Sequence, residues 1–103
     1  MKYLKTFENS NNPKVGDYVI CNEIENRDIL SEFISNNIGV VIRSFFGGSY
    51  QVNYENIPDE IKKFFANDEK YDGLRGMFRK EIIDFASSKE KLEIKLNIKK
   101  YNV

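Results

Sequence analysis

Residues 38–55, which read IGVVIRSFFGGSYQVNYE, decide the predicted fold. Two runs rich in β-branched and aromatic residues, 38–46 and 49–55, flank the pair Gly47-Gly48. Glycine accepts the positive φ angles of a tight primed turn, so the stretch predicts two antiparallel strands joined as a β-hairpin. Apolar and polar residues alternate along the second run, which predicts a strand with one buried and one exposed face.

Further strands and short helices are predicted on either side of the hairpin. Strands are assigned from runs of β-branched and aromatic residues, and helices from apolar residues at helical spacing. The resulting elements are a strand at 14–22, a helix at 27–36 that Asn26 or Asp28 can cap, a short helix starting at Pro58, a charged loop at 67–76 and a fourth strand at 78–86.

The segment 90–100 fits two secondary structures. The period of a strand is present in its alternate apolar residues, which are Leu92, Ile94, Leu96 and Ile98. Strong helix formers and a capping box made by Ser87 and Glu90 favour a helix instead. We expect a C-terminal helix here, and a strand is the alternative.

The chain length corresponds to one domain. Its 103 residues fall in the usual range of about 100–150 residues for a single domain. An Asn-rich polar run ends at Pro13, which is typical of a linker. We expect residues 1–13 to form a flexible N-terminal arm and residues 14–103 to form one domain. The expected fold class is mostly β with short helices (α+β), arranged as a small antiparallel barrel with helical insertions and a C-terminal helix.

Five short stretches carry a resemblance to a known family. The strand that begins Val15-Gly16-Asp17, followed by 38–42 and by the alternating run 49–55, resembles the pattern of SH3-like barrels of the KOW type. The run 77–93 is similar to the closing strand and C-terminal segment of small bacteriophage proteins with this barrel, and the opening residues 1–8 are similar to the starts of such proteins. The resemblance implies an SH3-like barrel and supplies no catalytic residues.

Composition narrows the function classes. Sixteen basic and sixteen acidic residues give zero net charge, which argues against a general nucleic-acid binder. Histidine is absent and Cys21 is the single cysteine, so histidine-based catalysis, a cysteine-rich metal site and an intrachain disulfide are excluded. No apolar run approaches the length of a membrane span. We expect a cytoplasmic protein with no enzyme activity, no cofactor and no metal.

The predicted hairpin carries the strongest candidate binding residues. Aromatic residues flank the glycine pair, and strand alternation can bury only one of Phe45 and Phe46 on a given face. Exposed aromatic rings beside an arginine are typical binding anchors. The candidate partner-binding residues are therefore Arg43, Phe45, Phe46 and Tyr50. We expect a host protein or defence complex as the partner, bound and modulated by a phage-type protein in the host cytoplasm.

A nucleic-acid-binding barrel is the alternative function. Arg75, Arg79 and Lys80 form a basic group that could bind phosphates or an acidic partner. Residues 73–76 also match the Gly-x-x-Gly pattern of loops that clamp a nucleic-acid backbone, although a flexible turn fits the same pattern. A metal-dependent nuclease, from Asp59, Glu60 and Lys62, is a third and distant hypothesis.

Overall fold

Five antiparallel strands form one sheet in the computed structural model, which describes residues 12–22 and 28–101. The strands are β1 Tyr18–Cys21, β2 Gly39–Phe45, β3 Ser49–Asn53, β4 Leu74–Phe78 and β5 Ile82–Ala86. Their order across the sheet is β4-β3-β2-β1-β5, which leaves β4 and β5 at the two edges. The domain is therefore mostly β with short helices, as predicted, and its sheet is open between the edge strands.

The β-hairpin predicted around the glycine pair is confirmed. Strands β2 and β3 pair antiparallel, and Phe45 lies opposite Ser49 at the end of the ladder. The φ angles are 95° at Gly47 and 86° at Gly48, in the region that glycine adopts without steric cost. The turn thus forms where the sequence supplies two residues that tolerate positive φ.

The strand predicted at 78–86 is confirmed over 82–86 but not as one continuous strand, and the loop predicted to extend through residue 76 is wrong. The chain forms β4, then a 3-10 helix at Arg79–Glu81, then β5. No glycine or proline marks this break. It is instead held by a side chain, since the backbone N–H of Phe78 donates to Glu81 Oε1 at 2.8 Å. Because only three residues join the two edge strands, the sheet must curl so that its edges approach at this corner.

Two helices and a second 3-10 helix complete the domain. Helix α1 spans Asp28–Asn36 and helix α2 spans Lys89–Tyr101, so the predicted C-terminal helix is confirmed. The helix predicted to start at Pro58 is a 3-10 helix at Asp59–Phe64, with Pro58 at its N-cap. The predicted cap of α1 by Asn26 or by the Asp28 side chain lies outside the described residues.

The two helices cover opposite faces of the sheet. The main core lies on the face covered by α1, and its buried members are Val19, Cys21, Leu30, Ile34, Val41, Tyr50, Val52, Tyr54, Ile61, Met77 and Ile82. A smaller core lies under α2, where Leu92 and Leu96 pack against Ile20 of β1. Alternate residues of β1 point to opposite faces, so Val19 and Ile20 belong to different cores.

The start of the domain differs from the prediction in two ways. The first strand is shorter than predicted, and the part of the chain attached to the domain begins earlier. Strand β1 begins at Tyr18, because residues 14–17 form a turn in which the Asp17 N–H donates to the Lys14 carbonyl at 2.9 Å. Pro13 is buried, and the exposed Asn12 accepts a hydrogen bond from Arg79, so residues 12 and 13 are attached to the domain. The remainder of the predicted flexible arm, residues 1–11, lies outside the described residues.

Candidate functional site

A row of side chains crosses three strands at the hairpin end of the sheet. Phe45 on β2 lies opposite Ser49 on β3, and Ser49 lies opposite Phe78 on β4. Residues directly opposite each other in neighbouring strands place their side chains on one face. Phe45 is 48% exposed and Phe78 is 60% exposed. The row therefore presents two phenylalanine rings to solvent on either side of a small serine.

A third ring stands at the tip of the same hairpin. Phe46 has a relative exposure of 105%, so it makes essentially no contact with the rest of the domain. The sequence predicted that one of Phe45 and Phe46 would be exposed, and both are. We call residues 45–49 and 78–80 the hairpin-tip surface.

The prediction of Tyr50 as an exposed contact is wrong. Tyr50 is only 5% exposed and lies in the main core. It pairs with Met77 of β4, which is also buried. Strand alternation explains the difference, because Ser49 and Tyr50 are neighbours in β3 and must face opposite sides of the sheet.

Arg79 and Lys80 lie beside the hairpin turn, although the sequence places them more than thirty residues away. The Arg79 backbone N–H donates to the Gly48 carbonyl at 2.8 Å. A shallow groove of about 350 Å³ lies between the turn and the 3-10 helix, lined by Gly47, Gly48, Phe78, Arg79 and Lys80. Two groups of candidate residues that the sequence treats separately thus meet at one end of the sheet.

The two basic residues differ in how strongly the domain holds them. The Arg79 guanidinium donates to the Ile82 carbonyl at 3.0 Å and to Asn12 Oδ1 at 3.2 Å, and it lies 5.2 Å from the Phe85 ring centre. These contacts fasten the N-terminal segment and β5 to the corner of the sheet. Lys80 is exposed on the 3-10 helix, so it can approach a partner with little rearrangement.

Arg75 does not belong to the same patch. Its Nη1 donates to the Phe64 carbonyl at 2.9 Å, and its guanidinium lies 5.9 Å from the Phe65 ring centre. It stands four residues before Arg79, about 13 Å along an extended strand. The predicted group of Arg75, Arg79 and Lys80 is therefore divided, and Arg75 helps to hold the 59–65 segment against β4.

Arg43 borders the aromatic row and connects it to the 66–72 loop. Its guanidinium donates to Gln51 Oε1 and, at 3.3 Å, to Asp68 Oδ2. Asp68 also accepts the backbone N–H groups of Tyr71 and Lys70 at 2.8 Å each. These two backbone hydrogen bonds, with the Arg43 charge, lower the pKa of the Asp68 carboxyl below its ordinary range. Arg43 is thus half exposed but already paired.

The weaker sequence motifs do not assemble into sites. Residues 73–76 enter β4 instead of forming a loop between helices, so the backbone-clamp hypothesis is wrong. Cys21 is fully buried in the main core, consistent with its interpretation as a small apolar residue. Within residues 12–22 and 28–101, no three His, Cys, Asp or Glu side chains come together in a way that could hold a metal ion.

Phe78 is the member of the surface that sequence reasoning missed. Its exposure depends on the pairing of β4 with β3, which the loop predicted over 74–76 does not include.

Across the part of the chain that the structure describes, no helix is both long and apolar enough to span a membrane. Comparison of the chain with protein-family models, curated proteins and solved structures found no match.

Proposed function

We propose that the protein is a non-enzymatic binding module that uses the hairpin-tip surface to bind a protein partner. The observation that carries the proposal is the convergence of Phe45, Phe46 and Phe78 on one exposed end of the sheet. Single exposed apolar residues are common on protein surfaces, but a cluster of large aromatic rings is typical of an interface. Aromatic side chains are also strongly enriched at the centres of protein–protein interfaces.

The exposed parts of these rings supply a share of the free energy of binding. Fully burying one phenylalanine side chain contributes about 1.5–3 kcal/mol, and Phe45 and Phe78 are already partly buried, so the three rings supply at most about 6 kcal/mol before the cost of association. Phe46 contributes nothing comparable to the fold, because it is fully exposed. Its burial in a pocket of a partner would therefore be a gain made only on binding.

The surroundings of the rings indicate the chemistry of the partner. Lys80 lies at the edge of the surface, and the Arg43 charge is shared with Asp68. The chain has no net charge, so long-range attraction to a polyanion is not its main driving force. An apolar pocket with one or two acidic residues at its rim would complement this surface.

The curled sheet supports an SH3-like barrel, which the resemblance of residues 14–57 and 77–93 implies. Its two edge strands are joined by three residues, which brings the edges together at one corner. Curling of a small antiparallel sheet toward closure is a feature of small barrels, although β4 and β5 do not pair here. The same resemblance, to small bacteriophage proteins, favours a host protein or a host-defence complex in the host cytoplasm as the partner.

Binding of single-stranded nucleic acid is the second candidate function. One observation favours it, since Phe78 lies beside Arg79 and Lys80 in the same groove. Aromatic rings that stack on bases and cations that follow the phosphates are the usual components of such sites. The contacts that already hold Arg79 make it the weaker of the two candidates.

A capture experiment with matched variants tests the proposal. The tagged protein, the double variant Phe46→Ala/Phe78→Ala and the control Ile83→Ala, whose side chain is 55% exposed on β5, are incubated with host lysate with and without nuclease. We expect one host protein to be retained by the wild type and the control in both conditions, and lost by the double variant. Equal capture by all three would refute the role of the rings, and retention of RNA or DNA instead would favour the second candidate.

A further inference from the structure

The hairpin-tip surface carries a projecting ring and a groove side by side. Phe46 projects from the turn, with a relative exposure of 105%. The shallow groove of about 350 Å³ begins at the next two residues, Gly47 and Gly48, and Phe78 lines it from β4. Most of its surface is apolar. Because the ring and the groove adjoin on one surface, two copies of that surface can each place the ring of one copy in the groove of the other.

The groove has room for one aromatic side chain. Its volume is near the lower limit of the range of about 300–1,000 Å³ for pockets that hold small ligands. Gly47 and Gly48 keep it open, because both have positive φ angles, which disfavour any residue with a Cβ. A Cβ at Gly47 would meet no atom within 4 Å, so the residues around the turn do not fill the space beside it. The glycines that permit the turn therefore also leave a hole next to Phe46.

Lys80 adds a cation at the edge of the groove. It is exposed, and no ion pair within residues 12–22 and 28–101 involves it. An ammonium group is attracted to the face of an aromatic ring. The Arg79 guanidinium already makes such a contact inside the domain, at 5.2 Å from the centre of the Phe85 ring. A phenylalanine ring that enters the groove would therefore find both apolar walls and a cation for its face.

The exposed rings set the size of a contact between two copies. Phe45, Phe46 and Phe78 are 48%, 105% and 60% exposed, so together they expose about two complete side chains. An aromatic side chain buries about 150–250 Å², so the rings of two copies bring about 600–1,000 Å² into the contact. Stable interfaces bury about 1,200–2,000 Å², and smaller ones are transient. The expected complex is therefore a reversible dimer, with a dissociation constant between about 1 μM and 1 mM.

The charge of the chain does not oppose association. Sixteen basic and sixteen acidic residues give each copy zero net charge, so two copies do not repel each other at long range. The like charges nearest to such a contact would be the Lys80 ammonium groups of the two copies, and salt screens exposed charges. Added salt should therefore leave the dimer at least as stable, whereas it weakens an association driven by opposite charges.

We propose that two copies of the chain form a weak symmetric dimer through the hairpin-tip surface. Phe46 of each copy lies in the groove beside Gly47 and Gly48 of the other, with Lys80 of that other copy against its ring. A two-fold axis gives both copies the same contacts. The inference rests on the proposed function, because it makes a second copy a partner of the same surface. A host protein must then compete with the second copy, so dimerisation lowers its capture at high protein concentration.

Sedimentation equilibrium of the purified, nuclease-treated full chain tests the dimer. Between about 5 and 500 μM protein, we expect the average mass to rise from that of one 12.1 kDa chain toward that of two. Phe46→Ala should raise the dissociation constant at least about tenfold, because it removes the ring at the centre of the interface. Ile83→Ala is the matched control, since Ile83 is also exposed, at 55%, but lies on β5 outside the surface. It should dimerise like the wild type, and the wild type should dimerise at least as tightly in about 0.5 M NaCl.

Mixed isotope labelling tests the geometry of the contact. In a sample of ¹³C-labelled and unlabelled chains, we expect nuclear Overhauser contacts from the Phe46 ring of one copy to Gly47, Gly48 and Phe78 of the other. The proposal is overturned if the mass stays that of one chain at every concentration, if Phe46→Ala and Ile83→Ala dimerise equally, or if Phe46 makes no contact between copies.

Capture from host lysate reports separately on the proposed function. A monomeric chain that still captures a host protein through Phe46 and Phe78 overturns the dimer and leaves the proposed function standing. A chain that forms the dimer through Phe46 but captures no host protein supports the dimer and refutes the host partner.

Discussion

Replacement of Gly73 by alanine is expected to destabilise the domain severely. Gly73 is buried immediately before β4, and its carbonyl accepts the Tyr54 N–H at 2.8 Å. A Cβ at this position would overlap the carbonyl oxygen of Tyr54 and Cδ1 of Ile57. The isoleucine methyl can rotate away, but the Tyr54 oxygen belongs to the backbone and follows directly after β3. The substitution therefore forces the strand ends of β3 and β4 apart.

The expected cost is at the upper end of the range for overpacking. Such substitutions cost about 1–3 kcal/mol, and a clash with backbone leaves little room for side-chain relaxation. A loss of about 3 kcal/mol lowers the melting temperature of a domain of this size by about 12–24 °C. It also removes a large part of a total stability of about 5–15 kcal/mol.

The neighbouring residue Gly76 provides the matched control. A Cβ at Gly76 meets no atom within 4 Å, and its backbone is not in the positive-φ region. Gly76→Ala is therefore expected to stabilise by about 0.5 kcal/mol through the unfolded chain. Thermal unfolding followed by circular dichroism measures both variants. If Gly73→Ala melts within about 3 °C of the wild type, the close approach of residue 73 to Tyr54 is not present in solution.

Three further substitutions test which side chains are buried and which are exposed, and a fourth tests the charge of Asp68. Tyr50→Ala should cost about 3–5 kcal/mol in urea unfolding, because the ring is buried, whereas Phe46→Ala should change stability by less than about 0.5 kcal/mol. Leu92→Ala should cost about 2–5 kcal/mol if α2 packs on β1, and a near-zero effect would contradict that docking. The folded pKa of Asp68 is depressed, so its stabilising contribution is complete above the unfolded value of about 3.9 and is lost as the pH falls below it. Melting temperatures should fall less steeply in Asp68→Asn than in the wild type as the pH is lowered below about 4, and the difference between the two proteins should stay constant above that pH.

Local sequence signals predicted the elements whose formation depends on neighbours in the chain. The hairpin follows from two adjacent glycines, and its strand boundaries are correct within about one or two residues. The C-terminal helix follows from strong helix formers, even though Leu92 and Leu96 also fit a strand period. In these places, local preference and tertiary packing agree.

The errors arose where distant residues decide the structure. The two glycines and several charges around residues 74–76 predict a loop, yet pairing with β3 makes these residues a strand. The break between β4 and β5 depends on a hydrogen bond from the backbone N–H of Phe78 to Glu81. No glycine or proline at 79–81 predicts this break from the sequence. Tertiary context overrode local composition at both points.

The candidate site, too, could be predicted from the sequence only where it depends on residues close together in the chain. Phe45 and Phe46 are recognisable from the sequence because they flank a predicted turn. The meeting of Phe78 and Lys80 with that turn requires β4 to lie beside β3, which only the folded sheet reveals. Proximity in sequence predicts that Arg75 and Arg79 form one group, but strand geometry and the hydrogen bond from Arg75 to the Phe64 carbonyl separate them.

The pairing of β1 with β5 determines when this protein can complete its fold during synthesis. Residues 18–21 find their partners at 82–86, about 60–70 residues later in the chain. At a synthesis rate of about 5–20 residues per second, one edge of β1 stays without its partner for about 3–14 s. Over that interval the edge of β1 that pairs with β5 lacks its hydrogen-bond partners. The nascent chain is therefore most open to chaperones, and to misassociation, before its last strand leaves the ribosome.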